Sequence, residues 1–373
     1  MIFFYSLVIS ALSLYSYSLI DPNITFIKTW WWELFREKMV YFGYYQRANS
    51  WMIYLILVVL LFVFNYLFIK KYKRFDPIKL AILIGAILLF SYPLLSHDFF
   101  NYMFDARIAT YYHQNPYLFK ALDFPSDPWL RFLQWTHRTY PYGPVFLLVT
   151  LIPSFFSLGK FILAFLFFKA TFIIFYILAV FYLNKLKRKY AIIFATNPLI
   201  IIEGLVNSHN DLIAVSLGVI GIYYLLASKG LKSKIFFLLS AGVKYITFPL
   251  IFLTRLRPGW NKFIFYLMIG VILYLSFKSE IQPWYFLNLF IFLPLLNESI
   301  NPSTEFMLSG VEVLRINRLN IFFFGLLVSY YPYIRLGGWD SLDKINLKHI
   351  IIGIFFVINI TYFLLIKLKH HNA

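Results

Sequence analysis

The sequence predicts an all-α polytopic membrane protein: a single integral domain over residues 1–373, built from about 9–12 transmembrane or re-entrant helices around a large first outer loop. Three observations carry this. Hydrophobic residues make up 61% of the 373-residue chain against 13% charged residues, and the mean hydropathy is +0.72, leaving too little polar surface to cover a water-soluble domain. Apolar runs long enough to cross a bilayer recur along the chain, without the period-two alternation of an outer-membrane barrel. The net charge of +18 is carried largely by short loops between those runs, which points to cytoplasmic loops rather than to nucleic acid. The absence of cysteine removes disulfides, thiolate metal sites and cysteine nucleophiles. The 44 Phe and 29 Tyr read chiefly as interfacial belts and compositional drift, with ring platforms for a sugar or prenyl chain as the alternative.

The apolar spans run Ile2 to Ile20, Trp51 to Ile69, Ile78 to Leu95, Phe161 to Leu183, Ala191 to Val206, Leu212 to Ala227, Phe263 to Phe277, Ile321 to Ile334 and Ile350 to Ile366. The first has neither a basic leader nor a small-residue cleavage site, so it reads as a retained helix. Shorter or broken segments occupy Val145 to Leu158, Ile235 to Leu253 and Phe286 to Leu296. The basic loops KKYKR (Lys70 to Arg74), NKLKRK (Asn184 to Lys189), SKGLKSK (Ser228 to Lys234), RLRPGWNK (Arg255 to Lys262) and the tail KLKHH (Lys367 to His371) are assigned to the cytoplasm of a plasma-membrane protein, together with both termini. Two full crossings between Tyr142 and Asn184 would violate that assignment. Val145 to Leu158, which contains Pro153, is therefore expected to return to its own side. Ile235 to Leu253, interrupted by Gly242, Lys244 and Pro249, is expected to form a hairpin reaching partway through the membrane.

With that topology three polar clusters meet on the outer face. The first and largest spans Ser96 to Pro144 and contains SHDFFNYMFDARI, HQNPY and WTHRTYPYGP. Charge beside a membrane is costly to keep and usually has a use. Asp98 and Asp105 stand seven residues apart, two turns on one face if the segment is helical, and are the candidate catalytic carboxylates. Asp98 can equally cap a helix, and Asp105 can pair with neighbouring Arg107. Arg107, His137, Arg138 and Lys244 are candidate phosphate ligands; snorkelling of isolated cations is the bland alternative. His97, Tyr102, Asn115, Tyr117 and Tyr142 complete the loop's candidate substrate contacts, although NPY and YPYGP say by themselves only that the chain turns tightly. The second cluster is SHND, supplying His209, Asn210 and Asp211; the third is QPWY, supplying Gln282, Trp284 and Tyr285. Capping and interfacial anchoring are their structural alternatives. No metal-ligand spacing such as HExxH occurs, so no metal or other cofactor is expected, and neither GxGxxG nor a Walker loop is present to hold a nucleotide.

Taken in order, SHDFFNYMFDARI, NPY, YPYGP, SHND, Lys244 and PWY resemble the GT-C superfamily of integral membrane glycosyltransferases, and within it the polyprenyl-phosphate-mannose-dependent mannosyltransferases. The resemblance extends over about Ser91 to Leu296. It implies a polyprenyl-phosphate sugar donor, a glycan or glycolipid acceptor, the lipid bilayer as the third partner and no nucleic acid. It further implies Asp98 as base, phosphate contacts at Arg107, His137, Arg138 and Lys244, and sugar contacts at His209, Asn210 and Asp211. Many relatives carry two adjacent acids, whereas Phe99 and Phe100 follow Asp98 here, so the second acid is Asp105 or absent. Intramembrane charge and broken helices would also suit a transporter or flippase of a lipid-linked saccharide, which predicts symmetric halves that the sequence does not show.

Overall fold

A computed structural model describes residues 1–255, 258–296 and 316–371. Helix accounts for 77% of the described residues, and no strand occurs among them. The elements in chain order are α1 (Ile2–Tyr15, extended by a 3-10 turn Ser16–Leu19), α2 (Trp30–Val40), α3 (Arg47–Lys70), α4 (Pro77–Leu88), α5 (Asp98–Thr110), α6 (Pro144–Phe156), α7 (Phe161–Leu186), α8 (Arg188–Thr196), α9 (Asp211–Leu226), α10 (Gly230–Val243), α11 (Pro258–Lys278), α12 (Leu293–Leu296), α13 (Asn320–Val328), α14 (Tyr331–Leu336) and α15 (Leu342–His371). Among the described residues five stretches are long and apolar enough to cross a membrane, Ile2–Leu19, Arg47–Lys70, Phe161–Leu186, Gly259–Lys278 and Leu342–Leu365, and the bent pair Arg188–Thr196 and Ile200–Val206 makes a sixth if it is one span. Several outward faces of these helices are apolar, with Phe3, Tyr66, Ile152, Phe277 and Val357 all exposed, as lipid-facing side chains must be.

The bundle has two chemically distinct ends. At one, Tyr5 of α1 packs on Phe64 and Phe68, Arg188 donates from Nε to the Phe75 carbonyl at 2.9 Å, and Lys185 lies 5.7 Å from the Tyr223 ring. This basic end gathers the N-terminus and the loops at Lys70–Arg74, Lys185–Lys189 and Lys229–Lys234. Leu256 and Arg257 of RLRPGWNK lie outside the described residues, as do the side chains of the KLKHH tail. At the other end sit α5, the Ser208–Asp211 loop, Lys244 and Trp284.

Of the two expected irregular segments, Val145 to Leu158 forms the single helix α6 and Ile235 to Leu253 forms a reversal. Tyr102 of α5 touches Phe146 of α6, and Thr110 bonds Ser154 at 2.7 Å, so the two helices run parallel along the same end. The Gly159 carbonyl that follows α6 accepts from Arg107 at 3.4 Å, so α6 ends beside the C-terminal end of α5. The hairpin at 230–253 rises through α10 to Lys244 and descends as a 3-10 helix, Tyr245–Phe252. Lys234, near its start, donates to the carbonyls of Ile251 and Leu253, closing the base. Fourteen α-helical residues rise only about 21 Å, short of the ~30 Å hydrocarbon core.

Proline sets the departures from the expected spans. The span expected to reach Leu95 ends as helix at Leu88; Pro93 disfavours helical backbone at Tyr92, whose N–H is satisfied by Ser16 Oγ at 2.7 Å. The span Ala191 to Val206 breaks before Pro198 into α8 and a π-helical stretch, Ile200–Val206, bent by 67°. The expected span Ile321 to Ile334 is two short helices, α13 and α14, with Pro332 in the first turn of the second. The outer loop contains a buried helix, α5, rather than open chain.

Candidate active site

The site is assembled where these breaks expose backbone and charge. Lys169 sits within the apolar run of α7 and is 1% exposed. Its ammonium donates to the Leu205 and Val206 carbonyls at 2.8 and 2.6 Å and lies 3.1 and 3.2 Å from the Ser91 and Ser208 hydroxyls. A cation at the carbonyl end of the π-helical stretch is favourable for its dipole, and it fixes where the next four residues emerge. Ser208 then adopts a left-handed φ of 57°, a costly conformation for a residue with a Cβ, which turns His209 toward α5.

His209 is the centre of the arrangement. Its imidazole is 1% exposed and stacks on the Trp284 indole at 3.9 Å and 18°. Nδ1 lies 3.8 Å from Asp98 Oδ2 and Nε2 lies 3.4 Å from Glu203 Oε2, and neither nitrogen has a hydrogen-bond partner. Asp98 begins α5, accepts from Trp135 Nε1 at 3.1 Å and keeps 17% of its side chain open. The residue expected as a base thus stands at a helix N-terminus with one oxygen on an indole and the other facing an imidazole. His97, beside it, is held below the usual histidine range by burial, with Asp21 and Asp98 opposing the shift.

Lys244, at the hairpin apex, donates to Asp211 Oδ2 at 2.8 Å and Asn210 Oδ1 at 3.1 Å, and its ammonium lies 5.7 Å from the Tyr285 ring. Asp211 also accepts from Asn288 Nδ2 at 2.8 Å. Two of the three ammonium hydrogens are therefore used, and the side chain keeps 18% exposure toward the site. A Cβ on Gly143 would fall 2.0 Å from the Gly242 carbonyl oxygen, so only glycine lets YPYGP close against this apex.

Asp105 lies on the same face of α5, buried to 7%. Burial pushes its carboxyl up to about 7, with Arg138 drawing it down and Asp98 raising it further. Arg138 donates to the Tyr142 hydroxyl at 3.5 Å and lies over Trp135 at 4.9 Å. Tyr102, fully enclosed, packs edge-on against Tyr142 at 5.2 Å.

Other expected site residues are placed in the scaffold. Arg107 does not pair with Asp105: its Nε donates to Asp127 Oδ2 at 2.7 Å, and its guanidinium lies 3.9 and 4.2 Å from the Tyr111 and Trp129 rings. Asn115 Oδ1 accepts from the Tyr117 N–H at 3.0 Å, and Tyr117 donates to the Tyr142 carbonyl at 3.2 Å, so NPY pins YPYGP in place. Gln282 and Glu280 both accept from Lys348 at 3.0 Å, which ties α15 to the segment before Trp284. His137 is exposed and meets only the Trp135 ring edge, at 6.2 Å.

Sequence reasoning passed over Glu203, Lys169, Asp127 and Asn288. The first two were signalled, as single charges inside apolar runs. Asp127 and Asn288 gain meaning only from partners 20 and 77 residues away.

No curated protein and no solved structure matches the chain. One family model does, over residues 1–257, and it describes the N-terminal domain of alpha-(1->6)-mannopyranosyltransferase. With its all-helical membrane architecture and a carboxylate-centred site within the matched region, the chain belongs to the MptA/B family of mannosyltransferases.

Proposed function

We propose that the protein transfers mannose from a polyprenyl-phosphate donor to a hydroxyl of a glycan or glycolipid acceptor, with Asp98 as the base. The observation that carries this is the pairing of a partly open Asp98 carboxylate with a buried, unsatisfied His209 at the loop end of the bundle. Asp98 takes the proton of the acceptor hydroxyl as its oxygen attacks the anomeric carbon. The bond from that carbon to the phosphate oxygen breaks, and its electron pair leaves on the polyprenyl phosphate. The remaining N–H of Lys244 and the Arg138 guanidinium are the cations proposed to hold the departing phosphate. His97, Tyr142 and Tyr285 are the proposed contacts for sugar hydroxyls.

Asp98 and Asp105 are separated by about 10 Å along α5, too far for the two-carboxylate double displacement that needs ~5 Å, which favours a single inverting displacement. The positive-inside rule places the basic end in the cytoplasm with both termini, and the site on the outer face of the plasma membrane.

Purified protein in lipid, supplied with radiolabelled polyprenyl-phosphate mannose and an alkyl α-mannoside, is expected to form a disaccharide of inverted anomeric configuration. A chelator should leave the rate unchanged. Asp98→Asn should abolish transfer; equal transfer by that variant would remove Asp98 from its role, and a retained configuration would exclude single displacement.

A further inference from the structure

Glu203 is fully buried in the π-helical stretch before SHND, with no positive side chain bonded to it. Asn207 Nδ2 donates to its Oε2 at 3.1 Å, and the buried Tyr330 hydroxyl is the other polar group set against its carboxylate. A buried carboxylate kept this way is expensive, and charges inside membrane segments are retained chiefly where they act. The chain spends further energy on aiming it. The π-helical winding, the left-handed Ser208 and the bond from the His209 N–H to the Glu203 carbonyl at 3.1 Å all fold His209 back over the Glu203 side chain. The result is a line of three groups: Asp98 Oδ2, 3.8 Å to His209 Nδ1, then Nε2 3.4 Å to Glu203 Oε2, with the ring held flat on Trp284.

Resting on the assignment of Asp98 as base, we infer that His209 and Glu203 form a proton relay behind it. Neutral His209 carries its hydrogen on Nε2, facing Glu203, and offers the Nδ1 lone pair to Asp98. After Asp98 has taken the acceptor proton, that proton moves from Oδ2 to Nδ1, restoring the carboxylate. The imidazolium so formed sits between two carboxylates, and as product leaves it hands the Nδ1 proton back through Asp98, the open member of the line, to water. The 3.8 Å gap to Asp98 is beyond hydrogen-bond range and the 3.4 Å contact to Glu203 is not aligned as a hydrogen bond, which fits a site without substrate, since catalytic hydrogen bonds tighten in the occupied complex. His209 and Glu203 therefore act through Asp98. Neither needs to touch the sugar, which separates this role from the sugar contact that sequence alone assigned to His209.

The test compares wild type, Glu203→Gln, Glu203→Asp and His209→Asn in lipid, with polyprenyl-phosphate mannose and the alkyl α-mannoside. Glu203→Gln should lower kcat about 100-fold while leaving KM for donor and acceptor within about two-fold. Glu203→Asp should recover part of kcat, and the solvent deuterium effect on kcat should shrink in Glu203→Gln. A Glu203→Gln enzyme with wild-type kcat, or one whose loss lies wholly in KM, would overturn the relay while Asp98→Asn still tests the base. Nitrogen-labelled histidine in the wild-type protein gives a reading that needs no turnover. The resonance lost in His209→Asn should report hydrogen on Nε2, and a signal showing it on Nδ1 would overturn the relay even if the donor proved wrong.

Discussion

Helix α5 carries two polar clusters nine residues apart, and they are opposites. Around Arg107 every strong group is answered: the guanidinium meets Asp127 and the Gly159 carbonyl, Tyr111 and Trp129 lie against its faces, and Tyr112 donates to Asp127 at 2.7 Å. Around Asp98 the groups are brought close but left incomplete, with both nitrogens of His209 unbonded. A closed network rigidifies and a partly open one is held ready for a ligand. The sequence makes the two clusters look alike, each an acid and a cation among aromatic rings.

That contrast can be broken by mutation. The largest effect is expected at Asp98, where Asn should lower kcat by about 1000-fold with little change in melting temperature. Breaking the other cluster with Asp127→Asn should do the reverse, costing about 3–5 kcal/mol of stability through a stranded Arg107 while turnover per folded molecule stays near wild type. Wild-type stability for Asp127→Asn would show that the Arg107 network is ornamental. Between them comes Lys169→Met, which strands the Leu205 and Val206 carbonyls; about 2–4 kcal/mol should be lost, and kcat should fall with the loosened Ser208–Asp211 loop. A Met variant as stable as wild type would mean those carbonyls find other partners.

Asp105 sharpens the comparison through pH. Its carboxyl is raised to about 7 by burial, whereas an unfolded aspartate ionises near 3.8. Its contribution to stability is therefore fully present below about pH 4 and is lost as pH rises through about 7. Asp105→Asn should flatten that decline and stabilise the protein at neutral and alkaline pH, by at most a few kcal/mol because Arg138 and water offset part of the cost. A pH profile of melting temperature that Asp105→Asn leaves unchanged would contradict this. The smallest effect is expected at Tyr117→Phe, which removes one bond to the Tyr142 carbonyl and should cost about 0.5–1 kcal/mol with activity intact.

The membrane class and the hairpin at Lys244 were legible, because charge, length and proline constrain a chain in lipid more tightly than in water. The meeting of Asp98, His209 and Trp284 followed from the same topology. What stayed hidden depended on distance. That Arg107 would choose Asp127 over Asp105 two residues away is decided by the path of the Phe124–Phe132 turns, not by any local pattern. Glu203 was visible as a charge in IIIEGLV, yet its value lies in the π-helical winding after Pro198, and no propensity scale foretells that winding. Pro93 and Pro332 were equally visible, but whether such a proline ends a helix or bends it is settled by who satisfies the freed backbone, here Ser16 for Tyr92.

The central claim is that the open cluster performs chemistry and the closed one holds the helix. Mannosyl transfer per folded molecule, measured side by side for Asp98→Asn and Asp127→Asn in the same lipid, tests it most directly. The expected result is near-complete loss for Asp98→Asn and near-wild-type turnover for Asp127→Asn; equal turnover in the two variants, or the reverse order, would contradict it.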